Sequence, residues 1–283
     1  MKIDVETWDR EWHNAHERSP LRVTPENEER WNRYWNLCAE QYGLEVEAET
    51  CLYEKIINHL ESGGYLLPGD IVLDVGCGPG TYTIPLAAKA RQVVGLDNST
   101  GMIQELESRA KRKGLSNVRT ILRDWNDPTP LPQQYDLVIS GQSPAIKDAA
   151  ALFKMGACST RHCCYTTASW SDEMQIRNEL WKRLIGPFTP SSAYDIKYPL
   201  NILLESGVRP DLKFITGKTE VALDPQTVVR NYISYFEIFT VMDEERSSIV
   251  KDYIMERSQE GVLWKKASKI LAVMTWSPHQ ILP

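Results

Sequence analysis

Several features that would place this 283-residue chain in a special class are missing from it. No apolar run is long enough to span a bilayer, and the first residues lack the apolar stretch of a secretory signal, so we expect a cytoplasmic protein with no membrane partner. Positive charge is not in excess, since 32 Lys and Arg stand against 38 Asp and Glu. Because proteins contact nucleic-acid phosphates largely through Lys and Arg, this balance predicts no nucleic-acid partner.

Cysteine is present but follows no disulfide-module spacing, so we expect the six cysteines to be free thiols in a reducing compartment. One group, Cys158, His162, Cys163 and Cys164, contains possible soft-metal ligands. Three of the four lie in the segment RHCCYTTAS, which reads as a strand, where adjacent side chains point to opposite faces. Since no more than about half of the group could converge, we predict buried strand cysteines and no metal site.

The strongest local signal is the stretch IVLDVGCGPG at residues 71–80, followed by VVGLD at residues 93–97. The first reads as a buried parallel strand that runs into three glycines, where the chain turns tightly and lets a ligand approach its backbone. Asp97 ends the second strand 21 residues after the first glycine. Thr81 or Thr83 could cap the helix that follows. The pattern predicts a nucleoside cofactor at the carboxyl ends of these strands.

The glycine spacing distinguishes between cofactors. Gly76, Gly78 and Gly80 form GxGxG, whereas a dinucleotide site is typically GxGxxG. The run LDVGCGPGTYTIPLA instead resembles the first motif of the class I S-adenosylmethionine-dependent methyltransferases. A nicotinamide or flavin enzyme, and a tight turn with no ligand, remain the alternatives.

The resemblance implies an α/β fold: a doubly wound, seven-stranded, mostly parallel sheet in the order 3-2-1-4-5-7-6, with a helical cap. Aromatic residues lie at helical spacing in the first 48 residues and near residues 232–239, so each group would form one face of a helix that packs on another part of the protein. We therefore predict an N-terminal helical lid at 1–48 and a Rossmann-like domain at 49–283, with cap insertions near 172–200 and 225–262.

The resemblance also implies how S-adenosylmethionine is bound. The glycine loop would wrap the methionine part, Asp97 would hold the ribose hydroxyls, and Asp74 would lie beside the amino group. Tyr42 would close over the cofactor, and Asp124 would accept from the adenine amine. The implied cofactor-binding residues are Tyr42, Asp74, Gly76, Cys77, Gly78, Gly80, Asp97, Asn98, Met102, Asp124, Trp125 and Ser140.

The segment SGQSPAI, after the fourth predicted strand, would lie over the transferable methyl group. In enzymes of the family that methylate base amino groups, this position carries Asn or Asp, two prolines and an aromatic residue. Here there is one proline and no aromatic residue, which argues against base methylation. Ser143 and the carbonyls of this loop would still face a substrate, although a turn shaped by Gly141 and Pro144 explains the same residues.

The predicted reaction is in-line transfer of the methyl group to a small or medium-sized metabolite, for which positioning matters more than a nucleophilic side chain. Weak candidates for a catalytic group are Ser143, His13, His16 and Tyr198. A carboxylate-bearing substrate would require an arginine in the lid, and Arg33, Arg177 and Arg183 are of the right type. The alternatives are a protein or RNA methyltransferase and a non-catalytic S-adenosylmethionine-binding regulatory or scaffold protein.

Overall fold

A computed structural model describes residues 4–131, 134–172, 174–188 and 192–279. Its centre is one sheet of seven strands: β1 (Ile71–Val75), β2 (Gln92–Asp97), β3 (Val118–Leu122), β4 (Tyr135–Gly141), β5 (Ser159–Ser171), β6 (Asp211–Leu223) and β7 (Leu263–Trp276). The strands lie in the order β3-β2-β1-β4-β5-β7-β6, which confirms the predicted topology.

The first five strands are parallel, and β7 pairs antiparallel with both β5 and β6. Strand β1 is central because β2 and β4 flank it, with Leu73 opposite Val94 on one side and Val138 on the other. Val72, Leu73 and Val75 of this strand are fully buried, as expected for a strand covered on both faces. The carboxyl ends of β1, β2 and β4 therefore meet at one edge of the sheet.

Ten helices accompany the sheet in the described residues: α1 (Val5–Glu17), α2 (Glu28–Ala48), α3 (Thr50–Ser62), α4 (Thr83–Ala87), α5 (Thr100–Arg112), α6 (Ala149–Cys158), α7 (Gln175–Leu184), α8 (Lys197–Glu205), α9 (Pro225–Glu237) and α10 (Glu244–Met255). Helices α3 and α4 pack on one face of the sheet, and α1, α6 and α8 pack on the other. No helix among the described residues is long and apolar enough to cross a membrane.

Successive side chains of β5 point to opposite faces of the sheet, so its two adjacent cysteines are buried on different faces. Cys163 is buried in the core on the α6 and α8 face, whereas Cys164 is buried in the core on the α3 and α4 face. Burial also raises the pKa of both thiols, which keeps them protonated. The prediction of buried strand cysteines is thus confirmed for Cys163 and Cys164, whereas Cys158 ends α6 and is half-buried.

A third apolar core joins the helices that we call the lid, namely α2, α7, α9 and α10. It is rich in aromatic rings, such as Trp31, which lies 6.0 Å from Tyr235 between ring centroids. Helix α1 is not part of the lid, because Trp12 stacks on Tyr198 of α8 and donates to the carbonyl of Ala193 at 2.7 Å. Of the predicted lid range 1–48, α2 is therefore the helix that covers the carboxyl edge of the sheet.

Candidate functional site

The glycine loop after β1 has a backbone that other residues adopt only with strain. Gly76 has φ of +66° and Gly78 has φ of +53°, both in the left-handed region. A Cβ atom on Gly76 would lie only 1.8 Å from the Oγ atom of Ser143. The loop between β4 and α6 thus rests directly on the glycine loop, and the sequence needs glycine here for both conformation and space.

Asp97 ties the end of β2 to this loop. Its Oδ2 atom accepts from the backbone N–H of Gly78 at 2.9 Å, and its Oδ1 atom accepts from that of Ser99 at 2.9 Å. Burial raises the pKa of Asp97, while these N–H groups act in the opposite direction. Each carboxylate oxygen has a second lone pair, so the half-buried group can also accept from a pair of ribose hydroxyls.

Asp74 lies deeper, at the end of β1, with 1% of its surface exposed. Its Oδ2 atom accepts from the Thr83 hydroxyl at 2.6 Å, whereas its Oδ1 atom is buried and has no hydrogen-bond partner. Thr83 is therefore not the helix cap that the sequence suggested, because α4 begins after Tyr82 with no side-chain cap. An unpartnered carboxylate oxygen beside a glycine loop fits the ammonium group of an amino-acid-bearing cofactor.

Burial raises the pKa of Asp74 from its ordinary value of 3.8 to about 7, so ligand-free protein holds a proton that the unfolded chain releases. Its free energy of unfolding should therefore fall as pH rises from about 4 to 7. An ammonium group favours the ionised form, so affinity for S-adenosylhomocysteine should weaken about tenfold per pH unit below 7. Calorimetric titration between pH 5.5 and 7.5 measures this, with Asp74→Asn expected to flatten the profile. A pH-independent affinity of the unaltered protein would contradict the assignment.

The residues expected around adenine are brought together only in part. Asn98 and Asp124 are both exposed, and the Asn98 amide donates to Asp124 Oδ2 at 3.2 Å. Trp125 is buried, and its indole N–H donates to the Ala151 carbonyl at 3.2 Å. Its ring thus belongs to the core, which leaves its backbone as the part available to a ligand. Met102 is also buried, with Cys38 and Ala39 of α2 around it.

Helix α2 reaches the cofactor side of the site through two side chains. The Asn36 amide oxygen accepts from the Ser99 hydroxyl and from the backbone N–H of Gly101, both at 2.8 Å, so it caps the start of α5. The Tyr42 ring lies 3.8 Å from where a Cβ atom on Gly78 would be. Tyr42 thus has the position that its predicted role over the glycine loop requires.

Two other predicted cofactor residues face inward. Ser140 is fully buried and donates from its hydroxyl to the carbonyl of Val75 at 2.9 Å, which joins β4 to β1. Cys77 is 2% exposed and packs with Ile103 and Leu106 of α5. Both side chains support the loop, so only their backbone atoms can meet a cofactor.

A cavity of about 410 Å³ lies between the lid and the carboxyl edge of the sheet. Its inner end contains Gln142 and Ser143, next to the glycine loop. Much of its wall is aromatic, formed by Trp31, Tyr34, Trp35, Tyr42, Tyr165, Tyr194, Tyr232 and Tyr235. This size and lining are typical of a site for a small organic molecule.

The polar part of the cavity is built from two ion pairs. Lys265 Nζ lies 2.5 Å from Glu45 Oε2, and Lys269 Nζ lies 2.6 Å from Glu49 Oε1. The Tyr53 hydroxyl donates to Glu49 Oε2 at 2.7 Å. Neither ion pair was predicted from the sequence. The available signal was the spacing of four in each partner, which puts the lysines on one face of β7 and the glutamates one turn apart at the C-terminal end of α2, where Glu49 is the C-cap.

Gln142, which was not predicted as a site residue, follows β4 directly. It has φ of +54°, a strained conformation for a residue other than glycine, and its N–H donates to the Thr166 carbonyl at 2.8 Å. The Tyr53 hydroxyl lies 3.5 Å from its amide oxygen. The strained backbone and this contact direct Gln142 into the cavity beside Ser143.

Of the four candidates for a catalytic group, one lines the cavity and three do not. Ser143 lines the cavity, but His13, His16 and Tyr198 do not. His13 is exposed on α1, and His16 meets Tyr194 edge to face, with ring centroids 5.4 Å apart. Tyr198 is stacked on Trp12 in the core. The sequence pointed to these three residues by type alone, and none of them lines the cavity.

Comparison with known proteins agrees with this geometry. A family described as a methyltransferase domain matches residues 72–157, which contain the glycine loop, Asp97 and Ser143. An uncharacterised protein of Haemophilus influenzae is 28% identical over 52% of this chain, and the match spans 53% of that protein. A 23S rRNA (uracil(1939)-C(5))-methyltransferase of Aeromonas hydrophila is 40% identical over 24% of this chain but only 14% of its own length.

Among solved structures, the magnesium protoporphyrin IX methyltransferase of Synechocystis, with bound S-adenosylhomocysteine, is similar at a TM-score of 0.46. It has 19% sequence identity, over 88% of this chain and 94% of that one. The domain match, the strand order and the residues at the carboxyl ends of β1 and β2 lead to one assignment. The chain contains a methyltransferase domain at residues 72–157, and its sheet has the strand order of the class I methyltransferase fold.

Proposed function

We propose that the protein transfers the methyl group of S-adenosylmethionine to a small or medium-sized metabolite held in the cavity beneath the lid. The observation that carries this proposal is the cavity itself, which adjoins the glycine loop and has a largely aromatic wall. A polymer would require an open, charged groove across the same edge, and the lid helices lie over that edge instead. The rRNA methyltransferase of Aeromonas hydrophila matches only 24% of this chain and 14% of its own length, so its acceptor is not carried over to this protein.

Each residue of the site has a separate task in this proposal. Asp97 would bind the ribose hydroxyls, Asp74 the amino group, and Tyr42 would close over the glycine loop. The bound cofactor supplies an already activated sulfonium methyl group. The protein therefore mainly has to align a nucleophile with it, and such positioning can lower a barrier by about 7–11 kcal/mol.

Ser143 and Gln142 are the groups best placed to orient the acceptor. Both line the inner end of the cavity, and Ser143 lies directly against Gly76. A hydroxyl and a carboxamide offer donors and acceptors without carrying charge, which suits the alignment of a hydroxyl or amine. The strained backbone of Gln142 fits this role, since strain collects at functional positions.

The test is to incubate the protein with methyl-labelled S-adenosylmethionine and a cell extract divided by size. We expect label in the metabolite fraction, and at least about a hundredfold less with Asp97→Ala, because that variant loses charge-assisted hydrogen bonds to the cofactor. Label only in protein or RNA would overturn the metabolite proposal. Cofactor binding with no label in any fraction would support the non-catalytic alternative.

A further inference from the structure

The charges around the cavity are not balanced. Five described residues that line it carry charge: Glu45, Glu49, Lys265, Lys269 and Arg177. Both glutamates are engaged by lysines, as described above. Arg177, on α7, forms no ion pair with any described residue, and the neighbour bonded to its guanidinium is the neutral Asn178. A cation is thus left in the wall of the cavity without an anionic partner among the residues that the structure describes.

The other two arginines considered from the sequence do not share this position. Arg33 is exposed and lies 3.5 Å from Glu29, one turn away on α2. Arg183 lies over the ring of Tyr253, 4.8 Å from its centroid. Neither lines the cavity, so Arg177 is the arginine of the three that can meet a ligand there.

Arg177 has neighbours that also lack a partner. The Trp31 indole N–H and the Tyr235 hydroxyl are buried and donate to no described residue, in side chains that are 8% and 6% exposed and line the cavity. Burial raises the pKa of Tyr235 to about 12, while the charge of Arg177 and a hydrogen bond from its guanidinium act in the opposite direction, so the two groups are close and the hydroxyl keeps its proton. Three donors that line one cavity are therefore available to an acceptor-rich group.

A ligand with a cationic group would fit this part of the cavity poorly. Aromatic rings attract ammonium ions, but here the uncompensated charge is already positive, and both carboxylates are held by lysines. One further unpartnered atom, Asn231 Oδ1, requires a donor such as a hydroxyl or an amine on the same ligand. The chemistry that satisfies all four groups is an organic acid that also bears a hydrogen-bond donor.

We infer that the methyl acceptor is a carboxylate-bearing, aromatic or amphipathic small molecule whose carboxylate is bound by Arg177, Trp31 and Tyr235. The inference rests on the proposed function and names the substrate class of that same site. The three donors come from the lid, whereas Ser143 and Gln142 lie at the glycine-loop end. The acid is therefore held by its carboxylate at the lid, with its reacting group toward the methyl donor.

A matched set of probes tests the carboxylate directly: 3-phenylpropionate, 3-phenylpropionamide and 3-phenylpropylamine, which differ only in the terminal group. Binding is followed by the fluorescence of Trp31 and Trp35 in the cavity wall, with S-adenosylhomocysteine present. We expect the acid to bind about 10- to 100-fold more tightly than the amide or the amine, as for a charge-assisted hydrogen bond. Failure of the acid to bind, or equal binding of the amine, would overturn the inference.

Two variants assign the effect to one side chain. Arg177→Gln should remove the preference for the acid, whereas the matched change Arg33→Gln, on the exposed face of the lid, should keep it. Circular dichroism and thermal unfolding show whether both variants fold like the unaltered protein. If Arg177→Gln folds and keeps the preference, Arg177 is not the carboxylate ligand.

A labelling arm separates this inference from the proposed function. The metabolite fraction is divided on ion exchangers into anionic, cationic and neutral pools before incubation with labelled S-adenosylmethionine. Label in the anionic pool supports the inference, and label only in the other pools overturns it while leaving the metabolite proposal intact. Label confined to macromolecules overturns the metabolite proposal, and the probe titration then decides the carboxylate preference by itself.

Discussion

Asp97→Asn should weaken the binding of S-adenosylhomocysteine by about 100-fold or more. The substitution removes the charge that the ribose hydroxyls would meet, and it replaces one of the two oxygens that hold the backbone N–H groups of Gly78 and Ser99. Hydrogen bonds to a charged acceptor contribute about 1.5–3 kcal/mol each, so losing two of them accounts for the effect. Isothermal titration calorimetry measures the affinity.

Asp136→Asn is the matched control for this change. Asp136 begins the parallel part of β4, and its Oδ2 atom accepts from the backbone N–H of Ile71 at 2.8 Å, so it makes the same kind of contact at the opposite edge of the sheet. We expect a modest loss of stability and an unchanged cofactor affinity. Equal losses of affinity in both variants would show that Asp97 acts only on the fold.

Gly76→Ala should destabilise the protein by about 3 kcal/mol and abolish cofactor binding. The added Cβ atom would lie 1.8 Å from Ser143 Oγ and 2.6 Å from Ser143 Cβ, so the loop after β4 must move as well as the side chain. The left-handed backbone of Gly76, with φ of +66°, adds about 1–2 kcal/mol of strain for alanine. Chemical denaturation gives the free energy of unfolding, and calorimetry gives the affinity.

Gly114→Ala is the matched control, because it introduces the backbone strain of alanine at positive φ without a collision with another side chain. Gly114 has almost the same backbone, with φ of +68°, but a Cβ atom there would meet nothing within 4 Å. It should therefore lose about 1 kcal/mol of stability and bind the cofactor normally. If Gly76→Ala behaves like Gly114→Ala, the contact between the glycine loop and Ser143 is unimportant.

Local patterns were sufficient for much of the fold. The apolar run before Gly76 and the acid at Asp97 lie at the ends of two neighbouring strands, so short-range sequence places them at one edge of the sheet. The resemblance to a known family then gave the strand order, which β5, β6 and β7 confirm. The strand ends are predictable because each depends on residues close together in the chain, whereas the strand order pairs distant segments and needed the resemblance.

The cavity beneath the lid could not be predicted from local patterns of this kind. Glu45 and Lys265 are 220 residues apart, and they meet because α2 packs against β6, the strand that pairs with β7. His13 and Tyr198 were considered because of residue type, yet His13 is exposed on α1 and Tyr198 is stacked on Trp12 in the core. Thr83 shows the same limit at short range, since its hydroxyl binds Asp74 rather than capping α4.

Helix α2 has a consequence for how the two ligands influence each other. Asn36 contacts the start of α5 and Tyr42 lies against the glycine loop, while Gln41 and Glu45, on the same helix, line the cavity beneath the lid. A helix moves as one rigid element, so a shift of α2 produced by one ligand changes the contacts open to the other. Thermodynamic linkage makes such coupling reciprocal. The factor by which the cofactor alters affinity for the acceptor must equal the factor by which the acceptor alters affinity for the cofactor.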